Sequence, residues 1–216
     1  MTRHRILAVV ASAALASVAG LATATSASAN SGEDHDKSLG TKSLAKVLAA
    51  DGSGFDRNPW DYDIVDNAVH AVLKAKPKSP VKLLADGRVP LTAFIPNDRA
   101  FERLATDITG KRYDSEKDVF GAVASLGISK VETVLLYHVV PGATVDYRAA
   151  LRSDGEKLKT AQGGKLTVDV RGDHRVFLVD ADRDDRNAKV VQPNINKGNR
   201  QIAHGISQVL RPVDLP

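Results

Sequence analysis

The hydrophobic pattern of this 216-residue chain is mostly helical before Val139 and strand-like after it, and that change limits the folds open to it. Before it, apolar residues recur at helical spacing. In "DYDIVDNAVHAVLKAKP", Ile64, Val65, Ala68, Val69, Val72 and Leu73 share one face, Asp61 or Asp63 stands near the start, Pro77 closes the run, and His70 points away. "SEKDVFGAVASLG" turns Phe120, Val123 and Ala124 inward, and "SKVETVLLYHV" puts Val131, Val134, Leu135 and His138 on one stripe. A shorter helix is expected in "SLAKVLAADG". After Val139 the runs "VVPGATV", "KLTVDVRG", "HRVFLVDA" and "AKVVQPNI" are short, β-branched and separated by Gly, Asp and Pro, as strands are.

One strand also lies in the first half. In "VPLTAFIPNDRAFERLATDI" a strand from Leu91 to Ile95 stops at Pro96, and Asp98 is placed to cap a helix burying Ala100, Phe101, Leu104, Ala105 and Ile108. The last segment, "RQIAHGISQVLRPV", does not declare itself. Ile202, Ile206, Val209 and Leu210 fit helical spacing slightly better than alternation. Helices crowded into one half and strands into the other predict an α+β fold, and no linker interrupts residues 40–216. We therefore expect one domain over residues 43–216.

The N-terminus reads as an export signal. Basic "MTRHR" precedes an apolar run and a small-x-small site at Ala27-Ser28-Ala29, so residues 1–29 are expected to be removed. The run is too rich in Ala and Ser for a spanning helix. Asn30–Lys42, polar and small, reads as a flexible N-terminal segment. Residues 1–29 carry Arg3 and Arg5 and no acid, so the net charge of +4 becomes +2 without them. The remaining charges alternate in sign, which argues against nucleic acid as a partner. The chain holds no cysteine, so disulfides, thiolate metal sites and a cysteine nucleophile are excluded. An Ala-rich leader without cysteines points to a bacterial, secreted protein, possessing no integral membrane segment after cleavage.

Three stretches carry a family resemblance. "LTAFIPNDRAF", with Thr92, Phe94, Pro96, Asp98, Ala100 and Phe101, resembles the first signature box of the fasciclin domain. "LLYHVVPG" resembles that family's tyrosine-histidine motif through Tyr137 and His138, and "QIAHGISQVLRP" its second box through His204, Ile206, Val209, Leu210 and Pro212. The resemblance spans residues 43–216 and implies a β-sandwich-like core of short strands wrapped by several helices, the final box being a strand. It further implies a secreted, non-enzymatic adhesion module contacting a cell-surface or matrix component, protein or polysaccharide. The alternative it offers is a carrier of a small apolar ligand, lipid or pigment. Arg200-Gln201 and Ser207 replace the usual Asn-Gly and Asp of the second box, and "QPNI" with Asn194 stands where integrin-binding relatives carry Asp-Ile. Integrin binding is not carried over.

His138, at the end of a buried helix, is expected to donate from one ring nitrogen and accept at the other, tying the helix to neighbouring backbone. His204 is expected to do the same amid core residues. No nucleophile context accompanies them, so no catalytic residue is expected. Tyr137 and His138 are the expected partner contacts, since some relatives use this segment in adhesion and an aromatic with a polar tip suits interfaces. No metal or cofactor is expected: H-E-x-x-H is missing, and His35, His70 and His174 sit in polar surroundings. "DADRDDRN" alternates Asp180, Asp182 and Asp184 like a calcium loop, but Asp185 replaces its glycine and Val191 its final glutamate, which leaves a solvated charged turn offset by Arg183 and Arg186. "GGKLT" at Gly163–Thr167 lacks the spacing of a phosphate loop and reads as part of a hairpin. A monomer is expected.

Overall fold

The structure, a computed structural model, describes residues 38–213 apart from 51, 53 and 173. The expected leader and most of the expected flexible segment lie outside the described residues. The end of that segment is pinned: the Gly40 amide donates to Gly198 O at 2.8 Å and Gly40 O accepts from the Arg200 amide at 2.9 Å. The compact unit begins at Ser38.

Helix α1 (Leu44–Leu48) and α2 (Asp63–Ala75) lead through a 3₁₀ segment (Pro80–Ala85) to strand β1 (Leu91–Pro96). Helices α3 (Asp98–Thr109), α4 (Glu116–Ala124) and α5 (Ile128–Tyr137) follow, then β2 (Val139–Pro141) and the one-turn α6 (Tyr147–Ala150). Strands β3 (Lys157–Lys159), β4 (Lys165–Arg171), β5 (Arg175–Val179), β6 (Ala188–Ile195) and β7 (Gln201–Ile206) complete the chain. All seven join one sheet in the order β2-β1-β7-β6-β5-β4-β3. The β1–β7 pair is parallel and the others antiparallel. The two edges approach each other where the Ala161 amide, just past β3, donates to Val139 O of β2 at 2.7 Å, so the sheet nearly closes into a barrel.

The sheet separates two cores. One face packs on the helices: Leu91, Ala93 and Ile95 of β1 and Ala203 of β7 meet Ile64, Val65, Val69, Phe101 and Leu104. The other face fills the barrel-like half with Phe94, Leu166, Val168, Leu178, Val190 and Ile206. Strands β1 and β7 are buried at every residue, and this explains the ambiguity of the final box. A strand covered on both faces has no polar alternation to display, so its apolar spacing carries no period-2 signal. Gln201–Ile206 is a strand, as the family resemblance implies.

Two local expectations are corrected. The cap of α3 is Asn97, whose Oδ1 accepts from the Ala100 amide at 3.1 Å; Asp98 is the first helical residue and fully buried. Asp98 caps a different helix, its Oδ1 accepting from the Ile64 amide at the start of α2 at 3.0 Å. In α4 the inward residues are Val119, Ala122 and Val123, with Phe120 half-buried and Ala124 exposed. Among the described residues no single helix is long and apolar enough to cross a membrane.

Candidate functional site

The tyrosine-histidine pair closes α5 against the sheet. His138 is the C-cap residue and 4% exposed; its Nδ1 lies 2.7 Å from Val134 O, and its Nε2 accepts from the Leu210 amide at 2.9 Å. The acceptor role of Nε2 fixes the neutral tautomer with the proton on Nδ1. Burial pushes its pKa down to about 4 despite the Val134 carbonyl. Tyr137 is 1% exposed and donates its hydroxyl to Lys165 O at 2.8 Å. Its ring sits against Gly164, where a Cβ would come within 2.8 Å of Cε2. These two residues, the expected partner contacts, therefore offer no surface in this conformation.

His204 behaves alike. Nε2 lies 2.9 Å from Val145 O, and Nδ1 accepts from the Asn194 amide at 3.3 Å. Its ring stacks on Phe94, its register partner across the parallel pair, at 5.9 Å between centroids. Asn194 itself adopts φ 63° and accepts from the Tyr147 amide at 2.8 Å, so this position is committed to the frame. Thr92 donates to Ala143 O at 2.8 Å and accepts from the Val145 amide at 2.9 Å. Pro96, Ala100, Phe101, Ile206, Val209 and Leu210 are all buried. Thr92, Phe94, Asn194 and His204 thus converge on the junction between β1, β7 and the segment after β2.

That junction borders a cavity of about 120 Å³ whose lining is mostly apolar, with Phe94, Val168 and Leu178, and includes the polar Ser153, Glu156 and His204. Small-molecule pockets usually enclose roughly 300–1,000 Å³. Room here is for something about the size of a benzene ring.

Charged groups gather in two other places. The Arg211 guanidinium, 7% exposed, meets Asp107, Asp182 at 3.1 Å and Asp185 at 3.2 Å, while its amide donates to Asp180 Oδ2 at 2.7 Å. Burial works against its charge, but Asp107, Asp185 and Asp182 outweigh burial and hold it above its ordinary value. The "DADRDDRN" run is therefore not a freely solvated turn. It folds around an arginine from beyond β7, which local spacing could not disclose.

The second gathering is made of carboxylates alone among the described residues that face Asp98 and Glu116. Asp61, Asp98 and Glu116, 8%, 0% and 5% exposed, bring carboxylate oxygens within 4.8 Å of one another, and Asp56 and Asp63 extend the group through Asp61. Asp63, Asp98 and Glu116 each open a helix, so three helix N-termini, with their partial positive charge, converge here. Burial first, then the hydrogen bond and charge of Asp61, pushes Asp98 up to about 8; burial, with Asp61, Asp56 and Asp63 behind it, pushes Glu116 up to about 7. From the sequence Asp98 reads as a cap and Asp61 or Asp63 as a helix start, and nothing joins them to Asp56 and Glu116, because the members lie on separate segments with no linear motif.

Beside that cluster stands Trp60, the single tryptophan, 60% exposed, with the Arg99 guanidinium 6.0 Å from its ring centroid. Arg99 also lines an open polar groove along α3 with Glu102, Arg103, Arg112 and Tyr113. A lone Trp in the polar stretch "DRNPWDYD" is the sequence signal for this surface.

A family model for the Fasciclin domain matches residues 66–212. The chain belongs to the fasciclin domain family. Among solved structures, this fasciclin domain is similar to a FAS1 domain pair from the insect cell adhesion molecule Fasciclin I, with a TM-score of 0.51 at 15% identity. The match covers 72% of this chain and 48% of that one, so the chain spans about half the length of the pair, and at this identity the likeness concerns the fold. No curated protein matches the chain. The buried tyrosine-histidine seam is thus the frame of a fasciclin domain, and the exposed aromatic lies elsewhere.

Proposed function

We propose that this fasciclin domain works outside the cell as a secreted, non-enzymatic interaction module that binds a component of the cell envelope or matrix, protein or polysaccharide. Family membership supports the adhesion-related role, the solved relative is named a cell adhesion molecule, and the leader resembles an export signal. The observation that carries the reading is Trp60, 60% exposed and flanked by Arg99. Exposed Trp and Arg are the residue types that dominate binding hot spots, since they supply large contact area together with directed polar groups. The surface for a partner is accordingly the Trp60–Arg99 face with the α3 groove, and no longer Tyr137 and His138. Sedimentation of the purified protein with isolated envelopes across a salt series tests it. Saturable binding that persists at high salt supports the reading; protein that stays in the supernatant at every salt concentration refutes it.

A second reading, a carrier of a small apolar ligand, is favoured by the cavity beside Phe94 and His204. Its size restricts the cargo to a single small ring, so a lipid or pigment would require the barrel-like half to open. Native mass spectrometry of the protein as recovered from its culture medium decides it: a stoichiometric adduct supports the carrier, and a bare protein mass opposes it.

A further inference from the structure

The geometry points to a calcium site formed by Asp61, Asp98 and Glu116. Oxygens bound to one Ca²⁺ at 2.3–2.6 Å lie no more than about 5 Å apart. All three residues place an oxygen within 4.8 Å of the others, so an ion at their centre lies at most about 2.8 Å from each, within a few tenths of an ångström of bonding distance. The cluster is also oriented from outside: the Ile64 amide holds Oδ1 of Asp98 at 3.0 Å, and the Asp56 amide holds Oε2 of Glu116 at 2.7 Å. Such bonds fix carboxylates in a ligating pose.

The second observation is independent of the clustering. As carboxylates, with no proton shared between them, Oδ2 of Asp98 and Oδ1 of Asp61 have no hydrogen-bond partner, although both side chains are more than nine-tenths buried. Orphaned buried oxygens on adjacent carboxylates are costly, because each loses water and each repels the other. Elsewhere in the molecule the same problem is solved with Arg211, which faces three aspartates. Here the charges acting on Asp98 and Glu116 are other carboxylates. A hard divalent cation supplies the missing charge and accepts oxygen ligands, and Asp56 stands close enough to Asp61 to add to the shell. The ion would join the Asp56–Asp63 loop to the starts of α3 and α4. This site stands apart from the interaction reading, and its test uses no partner.

The experiment is thermal unfolding of the full chain after chelation, with and without CaCl₂, together with terbium luminescence excited through Trp60, which adjoins Asp61. At free Ca²⁺ about 100-fold above Kd, the melting temperature should rise by roughly 5–10 °C. Terbium emission should appear and be competed away by Ca²⁺. In the double variant Asp61→Asn, Glu116→Gln both responses should disappear. If that variant does not fold, competition in the wild-type protein decides. An unchanged melting temperature and absent terbium emission at about 10 mM ion, above the weakest extracellular affinities, would overturn the site. That result would mean Asp61 and Asp98 share a proton instead.

Discussion

The amide of Leu210 donates to Nε2 of His138 at 2.9 Å, joining residues 72 positions apart. This bond seats the segment after β7 on the end of α5, and it exists only while the ring is neutral. Protonation of Nε2 would turn an acceptor into a donor facing a donor. Folded His138 has its pKa near 4, against an ordinary value of about 6.5 in the unfolded chain. The unfolded chain therefore takes up a proton first as pH falls. The contribution of His138 is complete above about 6.5 and is lost between there and about 4, amounting to about 3 kcal/mol. Denaturant unfolding of wild type and His138→Gln at a series of pH values checks this. The difference between the two profiles should shrink across that window; parallel profiles would contradict it.

Phe101 is 4% exposed, in the core between α3 and the sheet. Phe101→Ala should cost about 3–5 kcal/mol as a cavity, and Asn97→Ala about 1 kcal/mol as a lost helix cap. Chemical denaturation midpoints measure both, and an Asn97→Ala protein as stable as wild type would remove Asn97 from the cap.

Gly164 and Gly121 make a matched pair. A Cβ at Gly164 would lie 2.8 Å from the Tyr137 ring, whose hydroxyl is anchored on Lys165 O, so Gly164→Ala should destabilise by about 1–3 kcal/mol. Inside α4 a Cβ at Gly121 meets nothing within 4 Å, and Gly121→Ala should stabilise by about 0.5–1 kcal/mol through helix propensity. Opposite signs in thermal unfolding are the expected outcome.

Arg211→Met removes the cation facing Asp107, Asp182 and Asp185. With the guanidinium largely buried, the loss should reach about 3–5 kcal/mol, where an exposed pair would give under about 1. A shift of only a few tenths of a kcal/mol in the unfolding free energy would show that the aspartates re-solvate freely.

What the sequence disclosed follows from how far apart the interacting residues lie. The buried faces of α2 and α3 were legible because their periodicity is local, and His138 was read correctly as a donor-acceptor tie because it falls on the apolar stripe of α5. The strand β7 was not legible from spacing, since burial on both faces erases alternation. Asp98 was misplaced because two adjacent residues, Asn97 and Asp98, are both good caps, and only the fold shows that the second serves α2. The Arg211 network and the Asp61–Asp98–Glu116 group are not legible in the sequence because each is assembled from separate segments that share no linear motif.

The most direct measurement compares two variants in the envelope sedimentation assay. Trp60→Ala should weaken binding by roughly 30-fold, the equivalent of about 2 kcal/mol at a hot spot, while its melting temperature stays near wild type. Tyr137→Phe should bind like wild type and lose about 1 kcal/mol of stability with its hydrogen bond to Lys165 O. Binding lost in Tyr137→Phe and retained in Trp60→Ala would contradict the account, returning the partner surface to the tyrosine-histidine segment.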